Sequence, residues 1–225
     1  MKLKNWGLCL TIATLTTIFA IAPAQKVNSQ ENEATSSLIE SSLVLYGGER
    51  SRSQVVAWYL EELNIDYQYQ KLDLSAGDNQ QPEYLAINPM GKVPALVDGD
   101  FSIWESGAIL WYVANKYEKL PSDLTIQSET MQWILFANST LGNGLFLEDR
   151  REQEMPRLLT PLNEILETNS YLMGKKFTVA DVAVSFYLYA AKIRFNLEWQ
   201  EYPFLNDYLK RIIQREAFIN TVGKR

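Results

Sequence analysis

Apolar and polar positions change rhythm twice along this chain. Leu43–Tyr46 is a short apolar run closed by Gly47-Gly48, the pattern of a buried strand. From Ser51 to Ile65 the apolar positions Val56, Tyr59, Leu60 and Leu63 recur at helical spacing, with a serine in the N-cap region. Asp66–Leu74 alternates and predicts a second strand, and Gln81–Pro89 holds a short helical turn. Ala95–Val97 and Phe101–Trp104 flank Asp98-Gly99-Asp100. Asp-Gly between apolar runs predicts a hairpin. Ser106 then opens a helix with Ile109, Tyr112 and Val113 on one face, so the order is β-α-β-α-β-β-α.

Past Lys119–Ser122 the strand rhythm stops. Leu124–Leu145 places Met131, Ile134, Leu135, Leu141 and Leu145 at helical spacing, and Glu152–Glu167 predicts a second helix. Phe177–Lys192 opens on Thr178 and, three residues later, Asp181. This is a capping box with Asp in place of the usual Glu or Gln, and Phe177 and Val182 stand where a hydrophobic staple sits. Pro203–Ile213 and Ala217–Val222 complete the helices. The expected architecture is an α/β domain over residues 43–119 followed by an all-α helical domain over 123–225, with no internal repeat.

The segment before Leu43 has a different character. Lys2 and Lys4 precede an uncharged, mostly apolar run from Trp6 to Ala22, then the small-x-small site Ala22-Pro23-Ala24. Residues 1–24 therefore read as a secretory signal peptide cleaved before Gln25, or as an uncleaved membrane anchor. A short tail on a cytoplasmic chain is a third reading. Residues 25–42, polar and rich in Ser and Glu, read as a disordered tether. Export to a periplasmic or lumenal space, or anchoring to a membrane, is expected, with a membrane as partner only if the segment stays on.

Composition narrows the chemistry. The 225 residues are 47% apolar with net charge −6, enough for a real core and without a basic stripe for nucleic acid. There is no histidine, which removes Ser-His-Asp and Cys-His catalysis and His-ligated metals. Cys9 is the one cysteine, so neither an internal disulfide nor a Cys-x-x-Cys redox pair can form, and no metal site is expected.

Pro94 stands at the mouth of a predicted strand, eleven residues before Glu105-Ser106. Proline cannot donate to a sheet ladder and belongs at a strand's first residue or edge. A cis Val93–Pro94 bond would leave the N–H and carbonyl of Val93 free to pair with something other than the sheet. Glu105-Ser106 opens a helix. There a carboxylate can accept from an ammonium, and a hydroxyl and N–H can donate to a carboxylate. Helix capping is the simpler role for the same pair.

Several stretches together resemble the glutathione S-transferases. They are Ser51-Arg52-Ser53 followed by Trp58 and Leu60-Glu61-Glu62-Leu63, then Asn88-Pro89-x-Gly91-Lys92-Val93-Pro94, Glu105-Ser106-Gly107-Ala108-Ile109-Leu110, and Phe177-Thr178-x-x-Asp181. The resemblance covers the chain after Leu43. It implies a thioredoxin-like first domain, a cis Pro94, and a Val93 backbone that pairs with the cysteinyl part of glutathione as strand pairs with strand. It implies that Glu105 and Ser106 grip the γ-glutamyl end, and that Arg52 and Lys92 complete the binding set. It also implies a homodimer. The implied activity is conjugation of the glutathione thiolate to an electrophilic small molecule, with reduction of organic hydroperoxides as a companion. Glutathione is then a co-substrate. The alternative is a member that keeps the fold as a non-catalytic binding or chaperone module. Glutathione is mainly a cytosolic thiol, so an exported transferase would need a supply outside.

A free thiol has a pKa near 8.5. Lowering it by about 2 units favours the thiolate by about 2.7 kcal/mol, the order that a hydroxyl donor and a helix N-terminus together supply. Three hydroxyls compete. Ser51 lies where serine-type bacterial relatives place the active residue, Tyr46 ends the first strand as in the tyrosine types, and Ser53 lies further on. No cysteine stands near Arg52, which speaks against the thiol–disulfide exchange of the cysteine types. Trp133, Phe136, Asn138 and Phe146 are candidates to line the electrophile's site between the domains. Aromatics at such spacing also serve as plain core.

Overall fold

The computed structural model describes residues 43–224. The expected signal segment, its tether and Cys9 lie outside the described residues. Among those described, no helix is long and apolar enough to cross a membrane.

Four strands, β1 (Leu43–Gly47), β2 (Gln68–Lys71), β3 (Ala95–Asp98) and β4 (Phe101–Trp104), form one sheet in the order β2-β1-β3-β4. β1 runs parallel to β2 and antiparallel to β3, with Leu45 opposite Tyr69 and Leu96. Side chains alternate between the faces of a strand, which sorts them into two cores. Leu43, Leu45 and Leu96 face the large core with α1 (Ser53–Glu62) and α3 (Ser106–Lys116). Ala95, with Tyr46 and Trp104 packed against it, faces a smaller cluster built on Leu72 and Tyr84 of the short α2 (Pro82–Leu85).

β2 is shorter than the alternation predicts. Past Leu72 the chain turns, because Asp73 Oδ1 accepts from the N–H groups of Ser75 and Ala76 and from the Ser75 hydroxyl. These local bonds compete with the ladder.

The second half is helical: α4 (Leu124–Leu135), a π-helical stretch (Phe136–Leu141), α5 (Gly142–Phe146), α6 (Glu148–Thr168), α7 (Val179–Phe195), α8 (Pro203–Ile213) and α9 (Glu216–Asn220). The run expected as one helix from Leu124 is thus interrupted by a π-bulge, a feature that gathers at functional sites. α6 begins four residues before the expected Glu152, with Glu148 and Asp149 favouring the positive end of its dipole. The capping box of α7 forms as read. The Thr178 N–H donates to Asp181 Oδ2 at 2.9 Å, and Asp181 Oδ1 accepts from Leu172 N–H at 2.9 Å and from the Tyr208 hydroxyl at 3.1 Å.

Trp58 joins the two halves. It is fully buried, lies edge-on to Phe218 at 5.1 Å, and donates through Nε1 to Glu62 Oε1 at 2.8 Å. Arg215 clasps the same carboxylate at 2.7 and 2.6 Å and stacks 3.7 Å over the Phe177 ring. Trp58, and Glu62 of the Leu-Glu-Glu-Leu stretch, both singled out in the sequence, therefore bind the α/β half to the helical half.

Candidate functional site

A cavity of about 660 Å³ opens between the loop after β1 and the helices α5 and α7. Arg50, Ser51 and Arg52 line it from one side, and Asn138, Phe146, Phe186, Tyr187, Ile193 and Arg194 from the other.

Ser51 sits just outside the N-terminus of α1, whose N-cap is Arg52. Its Oγ accepts from the Ser53 N–H at 3.2 Å and donates to Gly48 O at 2.9 Å. Behind it lies Ser53, fully buried, with its Oγ 2.7 Å from that of Ser51 and 3.0 Å from the Tyr69 hydroxyl. With the Ser51 proton on Gly48 O, donation runs from Tyr69 to Ser53 to Ser51. A donor that itself accepts a hydrogen bond is strengthened. Gly47 makes room for this chain, because a Cβ there would overlap both Ser53 and Tyr69. Of the three hydroxyls weighed in the sequence, Ser51 lines the cavity, Ser53 stands behind it, and Tyr46 packs in the smaller cluster with its ring 5.7 Å from that of Tyr84.

The Val93–Pro94 bond is cis. The turn before it is fixed by Asn88, buried, whose Nδ2 donates to Lys92 O at 2.6 Å and whose Oδ1 accepts from Met90 N–H at 3.0 Å. Gly91 takes a left-handed φ of 58° there, which favours glycine. Among the described residues, neither backbone group of Val93 has a backbone partner. Lys92 is exposed.

Glu105 adopts φ 69°, a left-handed backbone uncommon for a residue with a side chain and one found at binding sites. Its carboxylate, more than half exposed, lies 4.0 Å from the Arg52 guanidinium. Ser106 is buried at the first turn of α3. Instead of capping, its Oγ donates to Asn138 Oδ1 at 3.0 Å, the atom that also accepts from the Tyr187 hydroxyl at 2.9 Å. Asn138 Nδ2 is anchored on Ile134 O at 2.9 Å. A Cβ at position 107 would lie 2.8 Å from Asn138 Nδ2 and 2.9 Å from Ile134, so Gly107 permits the close approach of α3. Burial pushes the Tyr187 phenol above its usual range, against the pull of Arg52.

Asn138 and Phe146, two of the four residues expected to line the electrophile's site, do line the cavity, with Asn138 also tying Ser106 to α7. Trp133 and Phe136 pack edge to face with each other at 5.6 Å and lie outside that lining. Sequence reasoning missed Arg50, Phe186, Tyr187, Ile193 and Arg194. The last four carry no signal beyond the α7 periodicity, and Arg50 precedes the Ser-Arg signature without belonging to it. Among the described residues no group of histidine, cysteine, aspartate or glutamate is placed to hold a metal.

The fold has counterparts among known proteins. Family models for the glutathione S-transferase N-terminal and C-terminal domains match residues 41–115 and 146–216. The chain is 31% identical over 196 residues to "Disulfide-bond oxidoreductase YfcG" of Escherichia coli, spanning 77% of this chain and 91% of that protein. It is 34% identical over 147 residues to "Glutathione S-transferase 1" of Schizosaccharomyces pombe, covering 55% of this chain and 64% of the yeast protein, just under two thirds of its length. The crystal structure of a theta class glutathione S-transferase from Xanthomonas axonopodis with glutathione bound superposes with a TM-score of 0.71 at 26% identity, covering 82% of this chain and 99% of that one. The fold and site define a thioredoxin-like domain joined to a helical domain. The chain belongs to the glutathione S-transferase family.

Proposed function

We propose that the protein binds glutathione and lowers the pKa of its thiol for attack on an electrophilic small molecule. The observation that carries this reading is the Ser51 hydroxyl on the cavity wall, backed by Ser53 and Tyr69 and set just before the N-terminus of α1. Turning its proton from Gly48 O to the sulfur needs only a rotation about the Cβ–Oγ bond. Glu105 and Ser106 hold the γ-glutamyl end and Val93 pairs with the cysteinyl backbone, with Arg52 and Lys92 completing the set. The thiolate forms the new bond to carbon as a leaving group departs or, in an addition, as the neighbouring atom takes a proton. With a hydroperoxide it takes the terminal oxygen while the O–O bond breaks and the alcohol leaves, and a second glutathione then converts the sulfenic acid to glutathione disulfide and water. The test is the ultraviolet absorbance of the thiolate on adding glutathione. It is expected in the parent and lost in Ser51→Ala. A signal that survives Ser51→Ala and vanishes in Tyr46→Phe would move the role to Tyr46.

A second reading, glutathione-dependent disulfide reduction, is favoured by the similarity to the protein named as a disulfide-bond oxidoreductase. There the glutathione thiolate attacks one sulfur and the other leaves as a thiolate, so no protein cysteine takes part. A mixed disulfide of glutathione with one half of a small disulfide, the other half released as a thiol and the product formed faster by the parent than by Ser51→Ala, would support it. Absence of any thiolate signal or turnover would favour the non-catalytic module.

A homodimer belongs to the proposal. Exposed Phe101 and Leu135, near an apolar cleft of about 490 Å³ between α3 and α4, offer a face for a second copy. Sedimentation of the full chain checks this. Export or anchoring through residues 1–24 is likewise proposed, and intact mass of the expressed protein decides whether it begins at Gln25.

A further inference from the structure

The hydroxyl chain behind Ser51 does not end inside the protein. Ser51 lines the cavity, Ser53 is fully buried, and Tyr69 is 43% exposed on β2, the edge strand of the sheet. Ser51 Oγ lies 2.7 Å from Ser53 Oγ, which lies 3.0 Å from the Tyr69 hydroxyl, and at each contact either oxygen can donate. Tyr69 lines a second cleft, of about 320 Å³, together with Gln54, Tyr67, Lys71 and Asn220. This cleft shares no lining residue with the cavity that holds Ser51. It is open to solvent, since the paired side chains of Glu49 and Lys71 on its wall are both largely exposed. Three hydroxyls therefore connect the cavity to water at a separate place on the surface.

The backbone makes room for this connection. A Cβ at Gly47 would overlap both the Ser53 and the Tyr69 oxygens, so the two hydroxyls meet only because that position has no side chain. A hydroxyl has one proton to donate and lone pairs to accept another, so a row of them can pass a proton along by accepting on one side and donating on the other. A thiol that ionises in the cavity has to send its proton somewhere. The chain has no histidine, and no aspartate or glutamate lines the cavity, so no side-chain base stands on its wall to receive the proton. An electrophile seated over the sulfur would cover it from the cavity side, whereas the hydroxyl chain leads away on the other.

We propose that Ser53 and Tyr69 relay the thiol proton of bound glutathione from Ser51 to the cleft on the far side. The proposal rests on the glutathione reading. The thiol gives its proton to Ser51 Oγ, Ser51 gives its own to Ser53 Oγ, Ser53 gives its own to the Tyr69 oxygen, and Tyr69 releases its proton to water in the cleft. The S–H bond breaks, one O–H bond forms on a solvent water, and each hydroxyl ends with one proton as it began. The transfer leaves every hydroxyl turned toward the sulfur. Tyr69 then donates to Ser53, Ser53 to Ser51 and Ser51 to the thiolate, the order in which each donor strengthens the next. Removing the proton and stabilising the anion are thus one movement of the same three groups.

The test is a stopped-flow pH jump on the full chain with glutathione already bound, from below to above the pKa of the bound thiol. Thiolate is followed by its ultraviolet absorbance and the released proton by an indicator dye, in water and in water–heavy water mixtures. The proteins are the parent, Tyr69→Phe, Ser53→Ala and the double variant, with circular dichroism to confirm folding and calorimetry to confirm glutathione binding. In the parent, thiolate and released proton are expected to appear together, at a rate that falls along a curve with deuterium content because several protons move. Each single variant is expected to be about tenfold slower. That is less than the ~10²-fold of a positioned base, because the open mouth of the cavity leaves the proton a second way out. The double variant is expected to be no slower than either single one, since a relay cut twice is no more broken than one cut once. Imidazole, a small base able to enter the cavity, is expected to restore the rate in the variants without changing the final absorbance. A parent-like rate in Tyr69→Phe, losses that multiply in the double variant, or slowing that imidazole does not relieve would overturn the proposal. If glutathione binds and ionises equally fast in all four proteins, the relay alone falls. If the parent binds no glutathione, the glutathione reading falls and the relay with it.

Discussion

At the scale of single residues, Ser51 decides between a catalyst and a bystander. Its oxygen already accepts from the Ser53 N–H, so its own proton is free to choose between Gly48 O and a sulfur. Returning a glutathione thiol from a pKa near 6.5 to its ordinary 8.5 lowers the thiolate fraction at neutral pH about 20-fold. Ser51→Ala is therefore expected to lose about 20-fold in turnover near pH 7 by that arithmetic. The deficit should close as pH rises through the ordinary thiol pKa, because the free thiol then ionises unaided. A pH–rate profile of both proteins checks this, and a deficit constant with pH would count against thiolate stabilisation. Tyr69→Phe keeps the ring and removes the far end of the chain, so a loss of only about two- to fivefold is expected.

The elements hold the site through contacts that cross the chain. Asn138 stands in the π-helical stretch and receives both Ser106 from α3 and Tyr187 from α7. Asn138→Ala leaves two buried hydroxyls without their acceptor, which is expected to cost about 1–3 kcal/mol of stability and to weaken glutathione binding by loosening Ser106. Chemical denaturation and glutathione titration of the same variant check both arms. Asp181→Ala is expected to cost about 2–4 kcal/mol, since its carboxylate accepts from Leu172, Thr178 and Tyr208 inside the core. It should leave the thiolate signal of the remaining folded protein intact. The contrast between these two residues says what was legible in sequence. The Asp181 box is local, three residues from its partner, and could be read from spacing. Asn138 meets Ser106 across 32 residues and Tyr187 across 49, so nothing in the local pattern links them. The strand and helix order was legible for the same reason as the box. The π-bulge and the early end of β2 were not, because they depend on tertiary contacts and on side chains competing for backbone groups.

Across the whole molecule, the cavity is made by two halves that are each incomplete without the other. The first supplies Ser51 and its hydroxyl chain, the second supplies Asn138, Phe146 and Arg194. Trp58, Glu62 and Arg215 fasten the halves on the far side of α1. Arg215→Ala leaves the Glu62 carboxylate without its cation and uncovers Phe177, so a stability loss of about 2–4 kcal/mol is expected. Weaker glutathione binding should accompany it if the seam sets the spacing of the site. Thermal unfolding followed at both tryptophan and helix signals checks the first effect, a glutathione titration the second.

Glu105 and Ser106 stand at the N-terminus of α3, beside the cis Val93–Pro94 turn, where they are proposed to hold the γ-glutamyl end of glutathione. Calorimetric titration of the full chain with glutathione, alongside Glu105→Ala, is the decisive measurement. Binding is expected in the parent and its loss in the variant, with the variant still folded. Equal affinity in the two proteins, or no binding in the parent, would rule out this role for Glu105 and Ser106.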